Sequence, residues 1–265
     1  MRGWRAQAGR SVDARRSAGR YREGMSSTPT QVKVCGLTRL EDAELATEMG
    51  AWALGMVFFA ESPRRCSLAE AELIAASLRR KAELCGVFVN PHMEEIVAVS
   101  ERLGLTMLQL HGDEGPSFCS EAARRTGARV IKAIQVSGVG DLRDAERYHV
   151  DFHLLDARSQ AAGHEHLRGG TGETFDWSLL SQRRSKVPLI LSGGLDPDNV
   201  STAIELVKPY AVDSASGTEL APGRKDPARL RAFFDAVGRT SSAVGQASFA
   251  TEPSAERPPS VGSPA

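Results

Sequence analysis

Short apolar runs alternate along the chain with stretches in which apolar residues recur every three or four positions. The runs at 32–35, 53–59, 84–89, 107–110, 130–134, 152–155, 189–191 and 210–212 read as strands. Helical periodicity falls between them at 40–49, 68–81, 93–103, 116–126, 141–148 and 197–207, and again at 227–237. Strands that alternate with helices imply right-handed crossovers and parallel pairing, and eight such strands suffice to close a barrel. The expected fold is therefore α/β, a TIM-type (β/α)8 barrel in a single domain. The sixth unit is the irregular one: 157–174 is too glycine-rich and polar for a helix, and only 177–181 has room for a turn or two. An open doubly wound sheet is the alternative. It usually has fewer strands and a Gly-rich turn after the first, whereas the glycines here gather after strands six, seven and eight.

The ends differ from the middle. Residues 1–28 are expected to be a basic disordered extension, rich in arginine and without apolar periodicity, with Met25 a possible true start. A transit peptide or a nucleic-acid-binding arm is the functional alternative. The domain is expected over 29–238, followed by a Ser/Ala/Gly/Pro tail over 239–265 that buries too little apolar surface to order itself. The charges balance, 33 basic against 33 acidic, so no global field favours nucleic acid or an anionic membrane. The four cysteines have no zinc-ligand spacing and no secretory leader precedes them, so they read as reduced thiols of a cytoplasmic protein, and no metal is expected. No apolar stretch approaches the roughly 18 residues of a membrane span.

Within this frame Cys35 carries the most chemistry. Strand one delivers it to a strand end, Gly36 turns the chain, and Thr38 is placed to cap the next helix. A thiol at a helix head is a candidate base or nucleophile, because the orphan amides there favour thiolate; an inert buried cysteine is the competing reading. Active sites of such barrels lie at the carboxyl ends of the strands, and phosphate is commonly held after strands seven and eight. Gly193 and Gly194 end strand seven; Ser216 and Gly217 end strand eight, where a short helix would aim its positive end at an anion. The loop 169–172, with Gly172, offers a third edge or a lid.

The segments Lys33-Val-Cys-Gly-Leu-Thr38, Gly55-Met-Val-Phe-Phe59, Ser62-Pro-Arg64, Gly86-Val-Phe-Val-Asn90, Leu108-Gln-Leu-His-Gly112, Leu154-Leu-Asp156, Gly169-Gly-Thr-Gly172, Leu191-Ser-Gly-Gly194 and Ala211-Val-Asp213 through Gly217 resemble phosphoribosylanthranilate isomerase of tryptophan biosynthesis. The likeness runs over about 31–237 in the family's order. It implies an Amadori rearrangement of N-(5'-phosphoribosyl)anthranilate by general acid and base, with no cofactor, because the anilino nitrogen is the electron sink. By resemblance Cys35 is the base and Asp156 the acid, and Arg64 pairs with the anthranilate carboxylate, with Arg65 an immediate rival. The base needs a thiol brought down toward neutrality, for which the helix amino end is a plausible source. The acid needs a carboxyl kept protonated, by burial beside Leu154 and Leu155 or by a nearby phosphate.

His111 ends strand four, either to donate to substrate or as a structural hydrogen-bonder; Asp213 ends strand eight, either opposing the thiolate or binding a substrate hydroxyl. The strand-eight loop departs from the family's common pattern at Ala215, with a modest loss of phosphate affinity at most expected because backbone amides carry the binding. Monomer and homodimer are both open. The alternatives to this enzyme are a noncatalytic binder of phosphoribosyl ligands and a histidine-pathway-type isomerase. The latter uses paired aspartates, and the Cys35/Asp156 pair disfavours it.

Overall fold

A computed structural model describes residues 29–157 and 174–247, with the side chains of 241–247 left aside. Eight parallel strands close in sequence order, β1 (Gln31–Val34), β2 (Ala53–Val57), β3 (Glu83–Phe88), β4 (Met107–Leu110), β5 (Arg129–Val136), β6 (Phe152–Ala157), β7 (Leu189–Leu191) and β8 (Ala211–Ser214), with β8 paired back onto β1. Helices α1 (Leu40–Glu48), α2 (Leu68–Leu78), α3 (Met93–Leu103), α4 (Pro116–Thr126), α5 (Val139–Ala145), α6 (Val200–Val207) and α7 (Pro227–Ala247) follow β1 to β5, β7 and β8 in turn. Among the described residues after β6 there is a 3-10 helix, Trp177–Gln182; the glycine-rich stretch before it lies outside the described residues.

Side chains alternate across each strand. Val32 and Val34 of β1, Leu54 and Met56 of β2, and Leu108 and Leu110 of β4 pack outward in the layer under the helices. Ala53, Cys85, Met107, Ile131, Leu154, Ile190 and Ala211 fill the barrel interior. The amino-terminal end is plugged by Trp52, Phe152 and Tyr210, whose rings lie 5.3–5.4 Å apart, with the Arg129 guanidinium over Trp52 at 5.9 Å. A packed aromatic floor leaves the carboxyl-terminal rim as the open face, where the candidate residues end their strands.

Three features differ from expectation. A two-stranded antiparallel hairpin, β9 (Glu219–Ala221) and β10 (Arg224–Lys225), follows β8. Strands this short carry no readable alternation. Helix α7 passes the expected boundary at 238 and runs to Ala247, with Thr240 buried and bonded to the Ala236 carbonyl at 3.0 Å; no proline interrupts residues 228–247. Thr38 does not cap α1. Its hydroxyl donates to the Gly223 carbonyl at 2.5 Å, on the hairpin, while α1 begins at Leu40 behind Arg39, which provides no side-chain cap.

Candidate active site

Cys35 follows β1 directly, its amide bonded to the Ser214 carbonyl at 3.0 Å. Gly36, at φ +76°, then turns the chain, and Leu37 bonds across to Gly55 at 3.0 Å. The thiol faces the barrel interior. Gly55 makes room for it, since a Cβ there would lie 2.8 Å from Sγ and 3.1 Å from the Cys35 Cα. The helix head expected to activate the thiol is five residues away at Leu40, and a helix-end field fades within a turn.

Two lysines replace that helix. Lys33 occupies the same inward face of β1 two positions earlier, is fully buried, and pairs with Asp213 Oδ1 at 2.9 Å. Lys225 is fixed by the Ala215 carbonyl at 2.9 Å and Glu219 Oε1 at 3.3 Å. Burial pushes the Cys35 thiol up from its ordinary value; Lys33 and then Lys225 draw it back down, and Asp213 opposes them. The resting group is thus a neutral thiol with two cations beside it. Asp213 is engaged by Lys33 and, at 3.4 Å, by the Ser192 hydroxyl. Of its two anticipated roles, opposing the thiolate is the one visible in this geometry, and the expected contact with a substrate hydroxyl has to be made from within that pairing.

Asp156 sits on the inward face of β6, buried, across the rim from Cys35 with β7 and β8 between them. Gly193, at φ +90°, lets β7 approach it: a Cβ there would lie 2.5 Å from the Ala157 amide and 3.1 Å from Asp156 Oδ1. His111 lies against the acid, its Nε2 3.4 Å from Asp156 Oδ2 and its Nδ1 2.9 Å from Gln109 Nε2. Among the described residues neither His111 Nε2 nor Gln109 Oε1 has a hydrogen-bond partner. The loop beyond His111 is held by a buried pair, Lys132 Nζ to Glu114 Oε2 at 2.7 Å and to the Gly112 carbonyl at 2.7 Å, with Glu114 accepting from the Asn90 and Gly112 amides.

The phosphate candidates converge on the same rim. The turn of Gly193 and Gly194 (φ +61°) is braced by Asn199, which donates to the Gly194 carbonyl at 2.8 Å. Ser216 begins a single 3-10 turn, Ser216–Thr218, and a Cβ on Gly217 would overlap the Leu195 carbonyl, so the β7 and β8 loops are in direct contact. That single turn is all that stands where a short helix was expected. Gly172 and its loop lie outside the described residues.

Arg64 reaches this rim and Arg65 is exposed. The Arg64 stem crosses Gly36, where a Cβ would come within 2.8 Å of Cδ, and its guanidinium meets Glu219. The residues that sequence reasoning missed are Lys33, Lys225, Glu219 and Gly55. Lys33 had one readable sign, a cation at an inward position of an apolar strand. Among the described residues no group of three or more His, Cys, Asp or Glu side chains could hold a metal ion, and no helix is long and apolar enough to cross a membrane.

Known proteins resemble this chain over the barrel. Residues 32–236 match the family model described as N-(5'phosphoribosyl)anthranilate (PRA) isomerase. The chain is 48% identical over 204 residues to N-(5'-phosphoribosyl)anthranilate isomerase of Geobacter sulfurreducens, covering 77% of this chain and 96% of the relative. It is 45% identical over 208 residues to the Rubrobacter xylanophilus protein of the same name, covering 78% and 98%. Among solved structures it resembles phosphoribosyl anthranilate isomerase of Thermus thermophilus, with TM-score 0.71, 35% identity and coverage of 79% and 99%. It also resembles a phosphoribosyl anthranilate isomerase in complex with reduced 1-(o-carboxyphenylamino)-1-deoxyribulose 5-phosphate, with TM-score 0.67, 37% identity and coverage of 79% and 99%. With a thiol, a carboxyl and two glycine turns on one barrel rim, and a family match over nearly the whole barrel, the chain belongs to the N-(5'-phosphoribosyl)anthranilate isomerase family.

Proposed function

We propose that this chain catalyses the Amadori rearrangement of N-(5'-phosphoribosyl)anthranilate to 1-(2-carboxyphenylamino)-1-deoxyribulose 5-phosphate, in tryptophan biosynthesis in the cytoplasm, as a monomer or homodimer. The observation that carries the reading is the pairing of an inward thiol at β1 with an inward carboxyl at β6, flanking the β7 and β8 turns of a chain 48% identical to a named isomerase. A ribose anchored by its 5'-phosphate at Gly193, Gly194, Ser216 and Gly217, with Gly172 as a further edge, lies between those two groups.

Asp156 protonates the furanose ring oxygen, and the C1–O bond breaks as the anilino nitrogen lone pair forms an iminium ion. The Cys35 thiol first gives up its proton to solvent; the thiolate then takes the proton from C2, and the C2–H electrons neutralise the iminium nitrogen to give an enolamine, which tautomerises to the ketone. Cys35 forms no covalent intermediate. Lys33 and Lys225 offset part of the burial cost of the thiolate, and the iminium, adjacent to C2, brings one more positive charge when the base is needed. His111 faces the acid and steadies it, and Arg64 takes the anthranilate carboxylate.

Purified protein is expected to extinguish the fluorescence of enzymatically generated phosphoribosylanthranilate; binding without turnover would instead favour a noncatalytic phosphoribosyl binder. Cys35→Ser should lose several orders of magnitude in kcat with KM largely kept. Near-normal turnover in that variant sinks the assignment of the base.

A further inference from the structure

Glu219 takes no part in the proton transfers, yet it makes the densest set of charged contacts on the rim. It opens β9 and is nearly fully buried, with 4% of its side chain exposed. Arg64 Nε donates to Oε1 and Oε2 at 3.0 Å each, and Nη2 reaches Oε2 at 2.8 Å. Lys225 Nζ and the Gly223 amide both lie 3.3 Å from Oε1. The Arg64 backbone is held as well, its amide donating to Ser62 Oγ at 3.2 Å. Three parts of the rim therefore meet at one carboxylate: the loop after β2, the hairpin after β8, and the Gly36 turn beneath the arginine stem.

Arg64 and Lys225 share the single carboxylate of Glu219, and burial draws Lys225 down from its ordinary value, so the guanidinium is the charge an incoming carboxylate meets. A guanidinium recognises a carboxylate through a planar fork, so the plane must be set before the ligand arrives; an unanchored arginine loses rotamer entropy on binding instead. We propose that Glu219 is a positioning residue of the isomerase site, fixing the Arg64 guanidinium plane for the carboxylate on the substrate's aromatic ring. Glu219 itself touches no reacting atom. The proposal rests on the reading of Arg64 given above.

The test separates positioning from a mere strap between loops. Wild type, Glu219→Gln, Glu219→Asp and Arg64→Met are compared on phosphoribosylanthranilate and on N-(5'-phosphoribosyl)aniline, which lacks the carboxylate, with product measured by mass spectrometry. Glu219→Gln replaces half of the accepting fork with an amide NH2, a donor facing the guanidinium's own donors. Its KM for phosphoribosylanthranilate should rise about 10- to 100-fold, with kcat changed less than about threefold. On the aniline substrate its KM should match wild type within about twofold, and any change passed to Cys35 through Lys225 falls on kcat equally for both substrates. Glu219→Asp keeps the charge beside Lys225 but withdraws it from Arg64, so a smaller loss with the same substrate dependence is expected; it decides the matter if the Gln variant fails to fold. Equal rises in KM on both substrates, or a KM for phosphoribosylanthranilate within about twofold of wild type, overturn the proposal. Arg64→Met reports separately on the arginine. If it loses equally on both substrates, the reading of Arg64 fails; if it discriminates while both Glu219 variants do not, only the inference about Glu219 fails.

Discussion

Lys33→Met removes a fully buried ammonium while keeping most of its stem, and it should act on stability and on the base through the same charge. Asp213, 2.9 Å away, is left in the barrel interior with only the Ser192 hydroxyl at 3.4 Å. Breaking one side of a buried ion pair costs about 3–5 kcal/mol, so the urea midpoint should fall sharply. At the thiol, the leading charge that draws Cys35 down disappears and the anion that pushes it up remains. A rise of one to two pH units, at about 1.4 kcal/mol each, lowers kcat/KM near pH 7 by about 10- to 100-fold. The sign is definite: thiolate forms as pH rises, so the ascending, acid-side limb of the kcat/KM profile moves to higher pH and activity recovers there. Lys33→Met combined with Asp213→Asn should restore much of the stability and return the limb part of the way, because an opposing anion is gone as well. If the limb stays where wild type has it while stability falls as expected, Lys33 is structural only and the electrostatic account of the base is refuted.

Gly55→Ala tests the thiol's placement without altering any charge: the new Cβ, 2.8 Å from Sγ, must displace Cys35, and a shift approaching 1 Å should lower kcat about 10- to 100-fold with KM little changed. A kcat within about twofold of wild type would mean the thiol has freedom that the packing denies. Burial pushes Cys66 and Cys85 up to about 12 and Cys119 up to about 11. Unfolded thiols ionise at about 8.5, so the unfolded state sheds protons first; this stability is complete below about that pH and is lost as pH climbs toward the folded values. Urea midpoints should therefore fall from about pH 9 upward, less steeply in Cys85→Ala, and midpoints that fall equally in both would discount the thiol at 85.

The barrel was legible because its evidence is local. β4 and β7 match their apolar runs residue for residue, α3 and α4 match their periodic stretches, and a short 3-10 helix stands at Trp177–Gln182, where the sequence has room for a turn or two. The positions of Cys35, His111, Asp156 and Asp213 at strand ends were legible for the same reason. The hairpin was missed because strands of three and two residues have no period, and the cap at Thr38 because its hydroxyl finds a better acceptor on that hairpin, 185 residues away.

The sequence by itself determined the eight-fold alternation, the open end of the barrel, the thiol and carboxyl, and the family. Tertiary structure alone decided what surrounds them. Lys33 meets Asp213 across 180 residues, Arg64 meets Glu219 across 155, and the charges felt by Cys35 come from β1, β8 and the hairpin together. Periodicity is a property of neighbouring residues, so it survives reading along the chain. Desolvation and the identity of a charge's partner depend on closure of the barrel, and closure replaced the expected helix field at the thiol with two buried lysines.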